Sequence, residues 1–272
     1  MNAFIKKNTP ALIAFALLII TYVPTLAWMK IRWFARDSYY SHGILIPFVV
    51  GYLIWSKRDT LSKITPTRHR LGIPLILTGL AIHVISSVLR VYFTSGFSML
   101  LTLTGIVLQF YGLIFLKAIA FPMFFLVFMV PLPEVLIVNI SFRMKMFAAA
   151  VSAEAIQGLG IRAIREGSVI RMPHAYVIVD DVCSGLRSLI SLTALGSIFA
   201  YFFKGSLWKR IVLFLTTIPI AIITNACRVT FLAFVAEVWG REAASGFVHD
   251  ASGFGIFIIA FILLTAMAKL LE

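Results

Sequence analysis

Charge is scarce in this chain. Of its 272 residues only 13% are Asp, Glu, Lys or Arg, while 61% are hydrophobic and the mean hydropathy is +0.99. A soluble domain carries about twice that share of charge, so an ordinary cytosolic enzyme is excluded. Acid is scarcer than base, with 11 Asp and Glu against 24 Lys and Arg for a net +13. The basic residues lie in short loops beside apolar runs, which points to membrane topology and anionic lipid headgroups as partners, and not to nucleic acid. Two cysteines, Cys183 and Cys227, are too few for a disulfide framework. Zinc-ligand spacing, a Walker loop, a dinucleotide fingerprint and a Gly-x-Ser-x-Gly elbow are all missing, so the sequence implies no metal and no cofactor.

What the chain has in abundance is apolar length. Spans are expected near residues 11–29, 41–56, 72–89, 97–116, 118–132, 185–202, 211–235 and 251–268. Lys6 and Lys7 precede the first run as in a signal peptide, but the run reaches Trp28 and Arg32 without a small-x-small cleavage site and reads as an uncleaved span. The most basic loops carry Lys57, Arg58, Lys63, Arg68 and Arg70, and then Lys204, Lys209 and Arg210. Eight spans from a cytoplasmic N-terminus place both loops inside, and leave 133–184 and 236–250 outside. Residues 133–160 are apolar but hold Glu134, Arg143, Lys145 and Glu154, which suits a helix at the outer interface; the alternative, a span, would force the basic loop at 204–210 outside against the charge rule. Beyond Gly167, the residues Val169, Ile170 and Tyr176 to Val179, broken by Pro173 and His174, predict a small hairpin. The expected fold is therefore an all-α polytopic protein of the cytoplasmic membrane. It has about eight transmembrane helices, an interfacial helix and a small β-hairpin on the outer face, all in one membrane domain with 133–184 as its extracytoplasmic elaboration.

Ionisable groups in or beside spans are the informative ones, because each costs several kcal/mol unless paired or hydrated. Cys183 opens the sixth span, where a helix N-terminus lowers a thiol pKa and favours a nucleophilic thiolate. Asp180 and Asp181 oppose that effect, Asp181 also suits the helix N-cap, and the plain alternative is a small inert side chain at a helix end. Arg228 shares a helix face with Asn225 and Thr224 and points a polar stripe into the bundle. Its guanidinium suits an oxyanion or a thiolate, or else snorkels outward as an anchor. His249 opens the last span and carries the one type of side chain suited to proton transfer near neutrality, although an isolated interfacial histidine is also common. Arg187, four residues after Cys183, rivals Arg228 as the thiolate's cation. His42, after Tyr39 and Tyr40, either joins the site or anchors the interface. Cys227, rotated about 100° from Arg228, reads as structural.

Several blocks in order resemble the exosortase and archaeosortase family of polytopic membrane cysteine transpeptidases. They are Tyr40-Ser41-His42-Gly43, Pro131-Leu132-Pro133-Glu134, Arg165-Glu166-Gly167, Cys183-Ser184-Gly185-Leu186-Arg187, Asn225-Ala226-Cys227-Arg228, and His249-Asp250 followed by Gly253. The resemblance covers about residues 37 to 260 and maps the family's catalytic Cys, Arg and His onto Cys183, Arg228 and His249. Two positions before the cysteine, where relatives often carry Glu, this chain has Asp181. The implied activity is cleavage of secreted, membrane-tethered proteins at a C-terminal tail made of a short signal, a transmembrane helix and a basic cluster, with transfer to an acceptor nucleophile that the residues do not identify. The competing expectations are a transporter or polysaccharide-export subunit in which Arg228 lines a substrate path, and an intramembrane protease that only hydrolyses.

Overall fold

The computed structural model describes residues 2–36, 38–180 and 182–272. Asp181, offered above as a helix cap, lies outside the described residues. Contacts gather the chain into two compact units, Met1–Leu132 and Pro133–Glu272.

In the first unit, α1 (Asn2–Thr21) meets α2 (Val23–Phe34) at Tyr22, where the apolar pair bends by 62°. Pro24 in the first turn of α2 lacks the N–H that would continue the α1 ladder, which accounts for the break. A 3-10 turn (Ser41–Leu45) leads into α3 (Ile46–Ser56), followed by the short α4 (Arg58–Leu61). The antiparallel pair α5 (Gly72–Val88) and α6 (Tyr92–Phe110) follows. Buried hydroxyls in this unit pair with one another, as they must where no water is available. Tyr22 bonds Ser98 and Thr102 at 3.1 and 3.0 Å, and His83 Nδ1 lies 2.7 Å from Ser95 Oγ.

The span expected at 97–116 does not continue that far. α6 stops at Phe110, and α7 (Gly112–Ala118) starts anew before α8 (Ala120–Phe125) and a 3-10 turn at Leu126–Met129. Gly112 is the cause: its φ of +84° is left-handed, and its backbone lies so close to Thr67 that a side chain would clash. Hydropathy cannot register that break, since the residues on both sides are equally apolar. α7 and the segment Ala120–Met129 are bent by 69°.

The second unit opens with α9 (Glu134–Gly158), a continuous helix of 25 residues. Three strands follow, β1 (Ile164–Glu166), β2 (Val169–Arg171) and β3 (Tyr176–Ile178), in the antiparallel order β1-β2-β3. The expected hairpin is β2-β3. The third strand was hidden because β1 pairs through a two-residue turn at Gly167, φ +64°, and reads as loop on its own. Ile170, fully buried, and Val177 face the helices, while Ile164, Tyr176 and Ile178 face outward. A 3-10 turn (Val182–Ser184) carries the chain into α10 (Leu186–Phe202), and then come α11 (Leu207–Trp239), the short α12 (Arg241–Ala244) and α13 (Phe247–Leu271). α11 is the hub that α9, α10 and α13 all pack against. Beneath the sheet, Ala148, Ala149, Ala153 and Ile156 of α9 close on Val229 and Ala233 of α11, with Ile170, Val179 and Cys183 in the same core.

Among the described residues, four helices are long and apolar enough to cross a membrane, α6, α9, α11 and α13, and up to six if each bent pair is one span. The expected eight were reached by counting the shorter apolar helices Gly72–Val88 and Leu186–Phe202 and the segment Ser41–Ser56, which fall below that length.

Candidate functional site

The strand β3 runs through Val179 and Asp180 into the 3-10 turn that presents Cys183. The turn is set by three contacts. Asp180 Oδ1 accepts the Cys183 backbone N–H at 3.0 Å, Asn225 Nδ2 of α11 donates to the Cys183 carbonyl at 3.1 Å, and Gly185 takes a left-handed φ of +82° before α10 begins. A side chain at 185 would also drive into Asn225, whose Cβ stands 2.7 Å from where the added carbon would be. The Cys-Ser-Gly order thus has a geometric reason: only glycine lets the chain leave the cysteine and enter α10 while pressed against α11.

Cys183 is 9% exposed, and its Sγ lies 3.0 Å from Nε2 of His249, in the first turn of α13. Thiol and imidazole are therefore in direct hydrogen-bonding contact although 66 residues separate them. Burial, reinforced by the Asp180 carboxylate and partly offset by the Arg228 guanidinium, pushes the Cys183 thiol up to about 11. The expected resting thiolate is thus corrected to a neutral thiol. The turn at 182–184 precedes the helix proper, and desolvation with a nearby carboxylate outweighs any help from the helix end.

Arg228 reaches the same place from α11. Its Nε donates to Ser252 Oγ at 3.1 Å and its Nη2 to the His249 carbonyl at 3.1 Å, while Ser252 Oγ donates to that carbonyl at 2.7 Å. Gly253 also lies against this guanidinium, with space for a Cβ at 3.4 Å from Nη2. Part of the guanidinium fork is thereby fixed on α13, and the rest stays available to an anion. Cysteine, arginine and histidine come from three separate elements and meet in one cluster.

The supporting residues fare differently. Asn225, expected on the Arg228 face, holds the Cys183 turn instead of the arginine, and Thr224 bonds back to the Ile220 carbonyl of its own helix. Arg187 sits half-buried in the first turn of α10, and the cation acting on the thiol is Arg228. His42 belongs to the first unit, where it stacks on Tyr40 with ring centroids 6.0 Å apart. Cys227 is exposed and lines an apolar groove of about 570 Å³ between α9 and α11 with Phe147, Val151 and Phe231, away from the cluster. A smaller cavity of about 150 Å³ adjoins the Cys183 turn, bordered by Arg143, Ser184 and Asn225.

Two functional residues were missed in the sequence. Ser252 stands three residues after His249 and so shares its helix face, a signal that was present but unused. Glu237 gave none: its carboxylate, 6% exposed, accepts the backbone N–H groups of His174 and Ala175 at 3.1 and 3.0 Å and meets His174 Nδ1 at 2.8 Å, fastening the β2-β3 turn to α11. Among the described residues no group of three His, Cys, Asp or Glu side chains is placed to hold a metal.

A helical membrane protein with a buried cysteine–histidine contact backed by an arginine is the class that fold and site define. The family model for transmembrane exosortases matches residues 28–266, nearly the whole chain, and the chain belongs to that family. No curated protein and no solved structure matches it.

Proposed function

We propose that this protein is a cysteine peptidase and transpeptidase that cleaves the C-terminal sorting tail of secreted proteins at the outer face of the cytoplasmic membrane. The observation that carries the reading is the 3.0 Å contact between Cys183 Sγ and His249 Nε2. As the thiol attacks the scissile carbonyl carbon, its proton passes to Nε2. The resulting oxyanion is stabilised by the free part of the Arg228 fork, and the imidazolium returns the proton to the leaving amine as the C–N bond breaks. The product is a thioester on Cys183, which an acceptor nucleophile resolves. A thiol held neutral and pressed against a base fits this concerted transfer better than a standing ion pair.

Eight crossings with a cytoplasmic N-terminus put Lys57 to Arg70 and Lys204 to Arg210 inside and the cluster outside. α9 then lies at the outer interface. Its Arg143 and Glu154 are exposed, and a charge facing hydrocarbon is costly. A tail held with its basic cluster inside presents its signal at the level of Cys183. The transporter alternative is disfavoured by the arginine itself, which is bonded to α13 beside a cysteine–histidine contact that transport does not require. Mass spectrometry of a tail-bearing protein from cells with and without this chain tests the reading. A new C-terminus made only in its presence, and lost in Cys183→Ala, is expected; unchanged tails in both strains overturn it. An adduct mass on that C-terminus distinguishes transfer from hydrolysis.

A further inference from the structure

We propose that the outer edge of β3 is the rail on which the substrate peptide docks, adding as a fourth, extended strand that leads to Cys183; this rests on the peptidase reading above. The sheet order leaves β3 at an edge. Met172 N–H donates to the Ala175 carbonyl and Val179 N–H to the Ser168 carbonyl, so residues 175, 177 and 179 turn their backbone groups toward β2. Tyr176 and Ile178 therefore turn theirs outward, and among the described residues no hydrogen bond is made to them there. Such an edge is a template for another chain, and strand addition to it is a recurring mode of peptide recognition.

The occupant follows from where the edge leads. β3 ends at Ile178, and the nucleophile is five residues further along the same chain. β1 and β2 lie over α9 and β3 over α11, which packs in turn on α13. β3 is thus one helix away from α13, from which His249 reaches the sulfur. Glu237 anchors the start of the strand through two backbone N–H groups, and Arg241 stacks on the Tyr176 ring at 3.9 Å. A strand already held in place loses little freedom on binding. Tyr176 and Ile178, 38 and 51% exposed on the outward face of β3, offer apolar contact to side chains of the added strand.

The test uses the full-length protein in detergent and a synthetic tail peptide that acylates Cys183. Single backbone N-methyl groups are walked along the peptide. Methylation at alternate positions should lower kcat/KM about tenfold, the loss of one hydrogen bond, and methylation at the positions between should leave it nearly unchanged. In Cys183→Ala, the same peptide should slow amide exchange at Tyr176 and Ile178 but not in α6. A peptide that acylates Cys183 with no alternation and no protection at β3 overturns the rail and leaves the peptidase reading standing. Protection of Tyr176 and Ile178 without peptide, rising with protein concentration, assigns the edge to a second copy and also overturns the rail. Failure of every tail peptide to acylate Cys183 overturns both.

Discussion

At Cys183, burial and a neighbouring carboxylate decide the protonation state, and that has a measurable sign. A thiol whose pKa is raised to about 11 stays protonated throughout the physiological range and ionises only above it. In the free protein, alkylation by iodoacetamide should be slow at pH 8 and keep rising toward pH 11, whereas an ordinary thiol, with a pKa of about 8.5, levels off roughly one unit above that value. Asp180→Asn removes the carboxylate that raises the thiol and should move the midpoint down; an unmoved midpoint would assign the whole effect to burial. For tail processing, Cys183→Ala and Cys183→Ser should abolish it and Cys227→Ala should not, because only Cys183 touches a base. Equal loss in both would make the pair structural. Arg228→Lys keeps the charge but loses the fork, so acylation should fall on the order of a hundredfold, and Arg187→Lys should be milder. Normal acylation in the first variant and none in a well-folded second would reverse that order.

At the scale of elements, what was legible followed local rules. Cys183, Arg228 and His249 could be named because membrane chemistry makes such residues expensive, and β2-β3 because its alternation is short-range. The partner choices were not legible. Asn225 reaches Cys183 and Arg228 reaches Ser252 across 42 and 24 residues, distances over which helix periodicity says nothing. Gly112 ends a helix inside an unbroken apolar run, since its conformation answers to Thr67 and not to its neighbours. Gly185 is the corresponding point of weakness in the site. Gly185→Ala forces an L-residue into a left-handed conformation at roughly 1–2 kcal/mol and pushes against Asn225. It should cost most of the activity, with a smaller loss of thermal stability in detergent; wild-type turnover in this variant would mean that the turn relaxes freely.

For the whole molecule, the remaining question is which helices cross. Single cysteines introduced at 206 and 240, in a background lacking Cys183 and Cys227, should label from the cytoplasmic and outer sides respectively. Labelling in the opposite sense removes the topology on which the outer-face site depends. Cysteines at 134 and 160 flank α9, and both should label from outside if the helix lies at the interface; labelling from opposite sides would make α9 a crossing. α13 has a part in both questions. It is a candidate span, and its first two turns supply the base and also the carbonyl and hydroxyl that hold the arginine. In the proposed mechanism, proton transfer and oxyanion support therefore share one mechanical mount, seated through Ala260 and Leu264 in the core shared with α10 and α11. A change that rotates this helix, even one three turns from the cluster, disables both functions together and leaves the nucleophile's turn in place. Such an enzyme would retain a cysteine that reagents still find and that no longer turns over.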